Sequence, residues 1–198
     1  MRGQDVSSMH VRPAEKHEEV WLLDRLDEFG MPDPAFRSRD YVFAVDEETG
    51  EKAGFGRLRV HSGDDTSVCE LTNIGVLPDW RGRGVGAHVI ERLVESAQDQ
   101  GFDRVFSLTT EPAYLEQFGF ERIDESTLPE PLVRRLSEVR ETEGEDAVPL
   151  VLDADAFSVP GRLRRRFRSD EGEDEPQETA EDFGIDADTA TYKYDTGG

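Results

Sequence analysis

A glycine-rich loop with two arginines, RGRGVG at residues 81–86, is the stretch of this sequence whose residue types are best suited to holding a ligand. The amides at the start of a helix lack partners within it, and the helix dipole adds about half a positive charge there, so anions bind at this end. Glycine lets the backbone come close to an anion and adopt positive φ, and the arginines supply charge. A helix-like run follows at once, so the loop is predicted to bind phosphate.

Two other phosphate-binding loops do not fit this spacing. The Walker loop needs a lysine followed by serine or threonine after its last glycine, whereas Ala87 and His88 follow Gly86. The dinucleotide fingerprint GxGxxG needs two residues between its second and third glycines, whereas Gly82, Gly84 and Gly86 alternate here. ATP and NAD are therefore disfavoured, and the remaining alternative is a turn with solvated arginines.

The overall charge explains why such a local site is needed. The 198 residues include 45 aspartates and glutamates against 23 lysines and arginines, for a formal net charge of −22. A chain this acidic cannot attract a polyanion by its overall field, and nucleic acids need a basic face, so nucleic-acid binding is not expected. Only Lys16, Lys52 and Lys193 are lysines. This composition favours a halophilic protein of a salty cytoplasm over an acidic protein with a charged tail at ordinary salt.

Cysteine usage and hydropathy limit the class of protein further. Cys69 is the only cysteine, so no disulfide forms within the chain, and the histidines and Cys69 show no metal-type spacing. No metal is therefore expected. The start of the chain lacks the apolar run of a signal peptide, and no stretch approaches the ~18 apolar residues of a membrane span. The predicted location is the cytoplasm, away from membranes.

Hydrophobic spacing and turn residues divide most of the chain into alternating strands and helices. After a short apolar entry at 10–13, the predicted strands are 41–45, 53–60, 68–76, 105–108, 120–123 and 148–152, the first two forming a hairpin. The predicted helices are 14–29, 85–100, 111–118 and 128–140. This alternation predicts an α/β or α+β domain, with a mixed sheet and helices on its faces.

A change in composition near Gly161 marks the end of the predicted domain, which spans residues 9–160. Five arginines lie within residues 162–168, and residues 169–181 are almost wholly acidic or polar. Segments this charged cannot bury enough apolar surface to fold, so residues 161–198 are predicted to be a largely disordered tail, basic and then acidic. Within it, TATYKY at 189–194 has enough strand character to fold back onto a sheet edge.

The order of these features resembles the GCN5-related N-acetyltransferases, the GNAT family. A strand ending in NIGV, a proline, an aromatic residue and then RGRGVG match that family's RxxGxG/A signature, and the likeness runs from TNIGVLPDWRGRGVGAHVIERL through YLEQFGFERI. It covers roughly residues 9–152. Within the family, VCELTNIGV and SLTTEPAYLEQFGFERIDESTLPEPL look most like the acetyltransferase domain of N-acetylglutamate synthase-like enzymes, although arsenical-resistance acetyltransferases share much of the pattern. The resemblance implies a mostly antiparallel central sheet flanked by helices, with a splayed pair of strands that holds the cofactor.

The resemblance also implies acetyl-CoA as cosubstrate and assigns the residues that would hold it. The pyrophosphate would lie on the loop, formed by Arg81, Gly82, Arg83, Gly84, Val85 and Gly86. The exposed backbone of Ile74, Gly75 and Val76 would run beside the pantetheine arm, with an amide there polarising the thioester carbonyl.

Glu70, in the strand before the loop, occupies the position where the resemblance places a catalytic carboxylate. An amine with a pKa near ~10 is mostly protonated at pH 7 and must lose a proton before it attacks a thioester, so a base is needed. Unbroken alternation would place Thr72, Ile74 and Val76 on the face of Glu70, and a bulge would change that phase. Glu70 is therefore predicted to act as the base, directly or through water, with a surface carboxylate as the alternative.

Tyr114 is the candidate acid for the leaving CoA thiolate. Many family members carry a tyrosine four residues before the glycine of the GF pair, and here that position is Leu115. One residue around a helix is about 100°, which would aim Tyr114 elsewhere and favours packing or a cofactor contact as its alternative role. A thiolate with a pKa of about 8.5 can also leave without an acid.

An acidic acceptor such as glutamate would need cations near the amine site. Arg57 and Arg59 share one face of a hairpin strand, and Arg37 and Arg39 lie just before the hairpin, with surface ion pairs as the alternative role for each. Cys69 points to the face opposite Glu70, which favours a core thiol over a nucleophile.

These observations predict an acetyl-CoA-dependent N-acetyltransferase that acts on the amine of a small molecule, such as an amino acid, by direct attack in a ternary complex. One alternative is a CoA-binding sensor or partner module without efficient catalysis, which the leucine at 115 would suit. The other is a protein N-acetyltransferase. The expected partner is a small-molecule amine, and a homodimer is left open.

Overall fold

The structure, a computed structural model, describes residues 9–168, with side chains through residue 164. The elements in chain order are β1 (Met9–Pro13), α1 (Glu19–Glu28), β2 (Tyr41–Asp46), β3 (Lys52–Ser62), β4 (Ser67–Val76), α2 (Val85–Asp99), β5 (Arg104–Thr109), α3 (Pro112–Glu116), β6 (Glu121–Arg122), α4 (Glu130–Thr142), β7 (Val148–Asp153) and α5 (Gly161–Arg168). The predicted strands and helices are present with ends that differ by a few residues. The first helix is shorter than predicted because residues 16–18 form a separate 3-10 turn before it.

The strands form one seven-stranded sheet in the order β1-β2-β3-β4-β5-β7-β6. Neighbouring strands are antiparallel except β4 and β5, which are parallel. The predicted hairpin is confirmed as β2 and β3. The mixed, mostly antiparallel sheet implied by the family resemblance is confirmed as well.

Helices cover both faces of the sheet. On one face, Val89 of α2 and Leu163 of α5 belong to the largest cluster of buried apolar side chains. On the other face, α1 packs through Leu22 against the β2–β3 hairpin, and α4 packs through Leu132 against β5. The α1 and α4 clusters are separate, and polar side chains of β3 and β4 lie between them.

The glycine loop leads directly into α2. The sequence of this helix explains why one of its faces is buried in the core. Val85, Val89 and Leu93 recur at four-residue spacing and are at most 1% exposed, as an amphipathic helix lying on a sheet requires. The helix ends before Gly101, whose φ of +90° suits a C′ glycine. The predicted span of this helix is therefore correct to within one residue.

α5 begins at residue 161, where the sequence placed the start of a disordered tail. Leu163 is completely buried in the α2 cluster, Arg164 bonds Glu91 of α2 at 2.9 Å, and Arg162 bonds Gln117 at 3.0 Å. Packed structure therefore continues past the predicted boundary at residue 160. In the described part of α5, one buried leucine, one ion pair and one hydrogen bond to an amide hold the helix against the body of the domain. The remainder of the predicted tail, including residues 189–194, lies outside the described residues.

No helix in the described part of the chain is long and apolar enough to cross a bilayer. Within the same residues, no three side chains from histidine, cysteine, aspartate or glutamate come together as a metal site would require.

Candidate functional site

The loop before α2 has the backbone geometry that its glycines predicted. Gly82 and Gly84 have φ of +81° and +76°, in the left-handed region that L-residues avoid. Gly84 is the N-cap of α2 and brings no side chain to the first amides of the helix. The first turn also contains no acidic residue. The start of α2 therefore presents amide donors to an anion without competition from a carboxylate.

The two loop arginines are held in different ways. Arg81 donates from Nε to the Val76 carbonyl at 3.2 Å, and burial lowers the pKa of its guanidinium. Arg83 lies over the ring of Trp80, 4.9 Å from its centroid, and makes no ion pair among the described residues. Arg81 thus ties the loop to the end of β4, whereas Arg83 keeps its charge available beside the loop.

His88, one turn into α2, supports the loop from inside. Its side chain is buried, and its Nδ1 lies 3.0 Å from the Gly84 carbonyl, which can only accept. Nδ1 must therefore carry the hydrogen. No pattern in the sequence indicates this bond, because it depends on the left-handed turn at Gly84.

β4 separates from β5 at the point where the site begins. The two strands pair only at Cys69 with Val105 and Glu70 with Phe106, although β4 continues for six residues beyond Glu70. The buried Ser107 donates from Oγ to the Leu71 carbonyl at 3.0 Å, where the ladder has just ended. A wedge therefore opens between the strands, with this bond at its apex and the backbone of residues 74–76 along one side.

A bulge in β4 changes which face each side chain occupies. Arg57 faces Thr72 and Phe55 faces Gly75, so β4 has one more residue than β3 over this stretch. Before the bulge, Glu70 lies on the α4 face; after it, Ile74 and Val76 belong to the α2 cluster. The unbroken alternation considered from the sequence is therefore wrong, and the bulged alternative is correct.

Position 75 requires glycine because two aromatic rings cover it. A Cβ at this position would lie 2.5 Å from the ring of Phe55 and 2.8 Å from the ring of Phe29. Both rings come from the α1 side of the sheet, where they pack 5.2 Å apart. They press on the strand from the face opposite Ile74 and Val76, so only glycine lets β4 hold this position.

Glu70 is buried and held by two partners. Its carboxylate is 1% exposed, lies 2.8 Å from Nε2 of His61 on β3, and accepts from Nε of Arg135 on α4 at 3.0 and 3.2 Å. Burial alone would raise the pKa of Glu70, but the His61 hydrogen bond and the Arg135 charge outweigh it and hold that pKa below its usual range. The carboxylate is therefore ionised and poorly disposed to keep a proton.

The two arginines of β3 that face the same way have different environments. Arg57 is buried in ion pairs with Asp33 at 2.7 Å and with Asp40 at 2.9 Å. Arg59, directly opposite Glu70 in the register, is half-buried and makes no hydrogen bond or ion pair within 4 Å among the described residues. Burial, and then the neighbouring charge of Arg135, lower the pKa of Arg59. Glu70 and Asp33 attract the Arg59 guanidinium electrostatically, but in the described residues neither forms an ion pair with it.

Tyr114 lies deep in the α2 cluster. It is 1% exposed, its ring meets that of Phe118 edge-on at 5.2 Å, and Leu115 beside it is completely buried. This position favours packing over proton donation. The catalytic assignment of Tyr114 stays a prediction.

The structure gathers the predicted residues into two groups. The loop and the end of β4 form one group, joined through Arg81. Glu70 belongs to a second, polar group on the α4 face of β3 and β4. His61 in that group could have been found, since it follows Arg57 and Arg59 at strand spacing, but Arg135 is 65 residues from Glu70 and no local signal pairs them. Arg37 and Arg39, the other candidate cations, are exposed.

Comparison with known proteins gives a family match over more than half of the chain. The acetyltransferase (GNAT) family matches residues 6–120. The uncharacterized N-acetyltransferase YjgM of Escherichia coli is 33% identical over 89 residues, or 42% of this chain and 53% of that protein. An amino-acid acetyltransferase of Mycobacterium tuberculosis is 33% identical over 75 residues, or 38% of this chain and 41% of that protein. The chain thus spans about half the length, or less, of these curated relatives.

Solved structures share the fold at low identity. N-acetylglutamate synthase of Neisseria gonorrhoeae, complexed with coenzyme A and N-acetyl-glutamate, superposes with a TM-score of 0.58 at 20% identity, covering 73% of this chain and 34% of that one. Rv2747 of Mycobacterium tuberculosis, in complex with CoA, gives a TM-score of 0.59 at 21% identity, covering 73% of this chain and 98% of that one.

Proposed function

Because this chain is a member of the acetyltransferase (GNAT) family, whose members transfer acetyl groups from acetyl-CoA, we propose that its acceptor is a small amine carrying a carboxylate, as an amino acid does. The observation that carries the proposal is Arg59, a half-buried cation that makes no direct ion pair within 4 Å in the described residues. A substrate carboxylate would supply the missing counter-ion. The amino-acid acetyltransferase and the N-acetyl-glutamate complex among the similar proteins support this class of acceptor.

The cofactor would occupy the wedge and the loop. Backbone amides of Gly82, Gly84 and Gly86 and the charge of Arg83 suit the pyrophosphate, since no side chain or carboxylate competes there. The pantetheine arm would run beside residues 74–76, where β4 has lost β5 as a partner and its peptide groups face the wedge. An amide there would polarise the thioester carbonyl. The cofactor, when bound, supplies the acetyl group that is transferred.

The amine would reach the thioester from the α4 face, and Glu70 would act on it indirectly. A carboxylate held by His61 and Arg135 is a weak proton acceptor, so a direct role as base is the less favourable of the two predicted roles. We assign Glu70 a fixed negative charge that attracts the substrate ammonium group and orients a water, which takes the ammonium proton and passes it to solvent. The neutral amine then attacks the carbonyl carbon and the C–S bond breaks. CoA leaves as a thiolate that needs no acid, and the proton lost by the new amide nitrogen passes to solvent.

An acceptor panel tests the substrate class. Release of CoA thiol is followed in molar KCl with amino acids, with the amines that result from removing their carboxyl group, and with peptides. We expect turnover of amino acids and at least tenfold less of the matching amines, because one charge-assisted contact is worth about 1.5–3 kcal/mol. Turnover of peptides alone would favour a protein N-acetyltransferase. CoA binding without turnover of any amine would favour a sensor.

Arg59→Gln is the matched variant. It should raise the KM for the amino acid about tenfold or more and leave the KM for acetyl-CoA unchanged. Arg122→Gln removes an arginine that is 56% exposed on β6 and serves as the control. Equal effects of the two substitutions on the acceptor KM would contradict the role given to Arg59.

A further inference from the structure

The bulge in β4 is centred on one residue with an unusual backbone. Asn73 has a φ of +54° and is the one non-glycine residue in the described chain with a positive φ. It lies between Thr72 and Gly75, where the register of β3 and β4 shifts by one residue. Asparagine tolerates this region better than other L-residues do, but the conformation still needs support from its surroundings.

That support comes from a buried tyrosine two strands away. The side chain of Asn73 donates from Nδ2 to the hydroxyl of Tyr41 on β2 at 2.9 Å. The hydroxyl in turn donates to Asp33 at 2.6 Å, because a carboxylate can only accept. Asp33 is fixed by Arg57 at 2.7 and 2.9 Å.

Every group in this chain of hydrogen bonds is buried and has one workable orientation. Tyr41 is completely buried and Asn73 is 4% exposed. Burial, followed by the charge of Asp33, raises the pKa of Tyr41. The hydroxyl therefore stays protonated and donates its hydrogen bond to Asp33. Its lone pair is then directed at Asn73. The amide of Asn73 therefore has a fixed partner on the α1 side of the sheet.

Asn73 is also the residue immediately before the backbone that lines the wedge. β4 stops pairing with β5 after Glu70, so residues 74–76 have no strand partner on that side. Where their peptide groups point depends on the bulge that precedes them. The bond to Tyr41 fixes that bulge from the opposite face, in a position that no ligand needs to occupy.

We propose that Asn73, through its hydrogen bond to Tyr41, is a positioning residue that holds the amides of residues 74–76 in the orientation that binds the cofactor. The inference rests on the proposed location of the pantetheine arm. It assigns the loop before β2, which carries Asp33, a part in cofactor affinity although that loop lies on the α1 side of the sheet.

Two substitutions remove the bond from opposite ends. Asn73→Gly keeps free access to positive φ and deletes the donor, whereas Tyr41→Phe deletes the acceptor and keeps the ring. Each should raise the Kd for CoA, measured by titration calorimetry, by about three- to tenfold, the range expected for one buried hydrogen bond. The double variant should be no weaker than the weaker single variant, because both act through one contact.

A stability control separates positioning from general damage. Gly101→Ala places a Cβ at a φ of +90° at the far end of α2, where no atom lies within 4 Å of it. It should lower the melting temperature without changing the Kd for CoA. Unchanged CoA affinity in both Asn73→Gly and Tyr41→Phe, or the same loss in Gly101→Ala, would overturn the inference. Failure of the unsubstituted protein to bind CoA would instead refute the proposed function.

Discussion

Replacing Gly84 by alanine tests the loop on which the cofactor assignment depends. Gly84 has a φ of +76° at the N-cap of α2. An L-residue in the left-handed region costs about 1–2 kcal/mol relative to the right-handed one. Alanine therefore draws the free loop away from the geometry that aims its amides at the pyrophosphate. Binding must restore that geometry, so the Kd for CoA should rise about five- to thirtyfold.

The assay compares Gly84→Ala with Gly101→Ala in molar KCl. Both glycines lie at ends of α2 and both have positive φ, so alanine imposes similar strain at each. Calorimetric titration reports CoA affinity, and urea unfolding reports the free energy of unfolding. Gly84→Ala should lower affinity, whereas Gly101→Ala should lower stability alone. A folded Gly84→Ala protein that binds CoA within twofold of the unsubstituted protein would refute the reasoning.

Three further outcomes follow from buried groups. The Arg12 hydrogen bond lowers the pKa of Glu18 to about 2. The stability that this ion pair contributes is therefore present above the unfolded pKa of about 4.5 and is lost as the pH falls towards 2. Urea unfolding between these pH values should show the free energy of unfolding decrease, and Glu18→Gln should flatten this pH dependence. Burial raises the pKa of the Cys69 thiol to about 12, so the native protein should react with Ellman's reagent at pH 8 only after denaturant is added, and fast native reaction would place Cys69 at the surface. Gly75→Ala should lower the free energy of unfolding by about 1–3 kcal/mol, because a Cβ would lie 2.5 Å from the ring of Phe55; adding Phe55→Leu should recover part of the loss, and no recovery would contradict the clash.

Local sequence patterns predicted the elements and the loop well. The spacing of Val85, Val89 and Leu93 defined the buried face of α2, and the glycines at 82 and 84 took the positive φ that their type allows. Such patterns act between residues a few positions apart, where the covalent chain itself fixes the distance. The start of α5 was missed because composition predicts disorder from average charge, whereas the helix is held by specific contacts that include the buried Leu163 and the bonds of Arg162 and Arg164.

The sequence left open which face of the sheet each residue of β4 occupies. Either unbroken alternation or a bulge was compatible with ELTNIGV, because the bulge requires a partner strand with one residue fewer and a group that stabilises positive φ. Both come from elsewhere in the fold, from β3 and from Tyr41. The same holds for Gly75, where rings contributed by α1 and β3 leave no room for a Cβ.

The sequence by itself determined the family, the order of the elements and the backbone conformation of the glycine loop, because glycine, charge and periodicity act locally. Only the tertiary structure decided what surrounds Glu70 and which arginine lacks a partner. His61 and Arg135 reach Glu70 from a neighbouring strand and from a helix 65 residues away. Asp33 and Asp40 pair with Arg57, whereas Arg59 makes no ion pair in the described chain. The charge state of a buried group depends on its neighbours in space, and those neighbours are set only when the chain has folded.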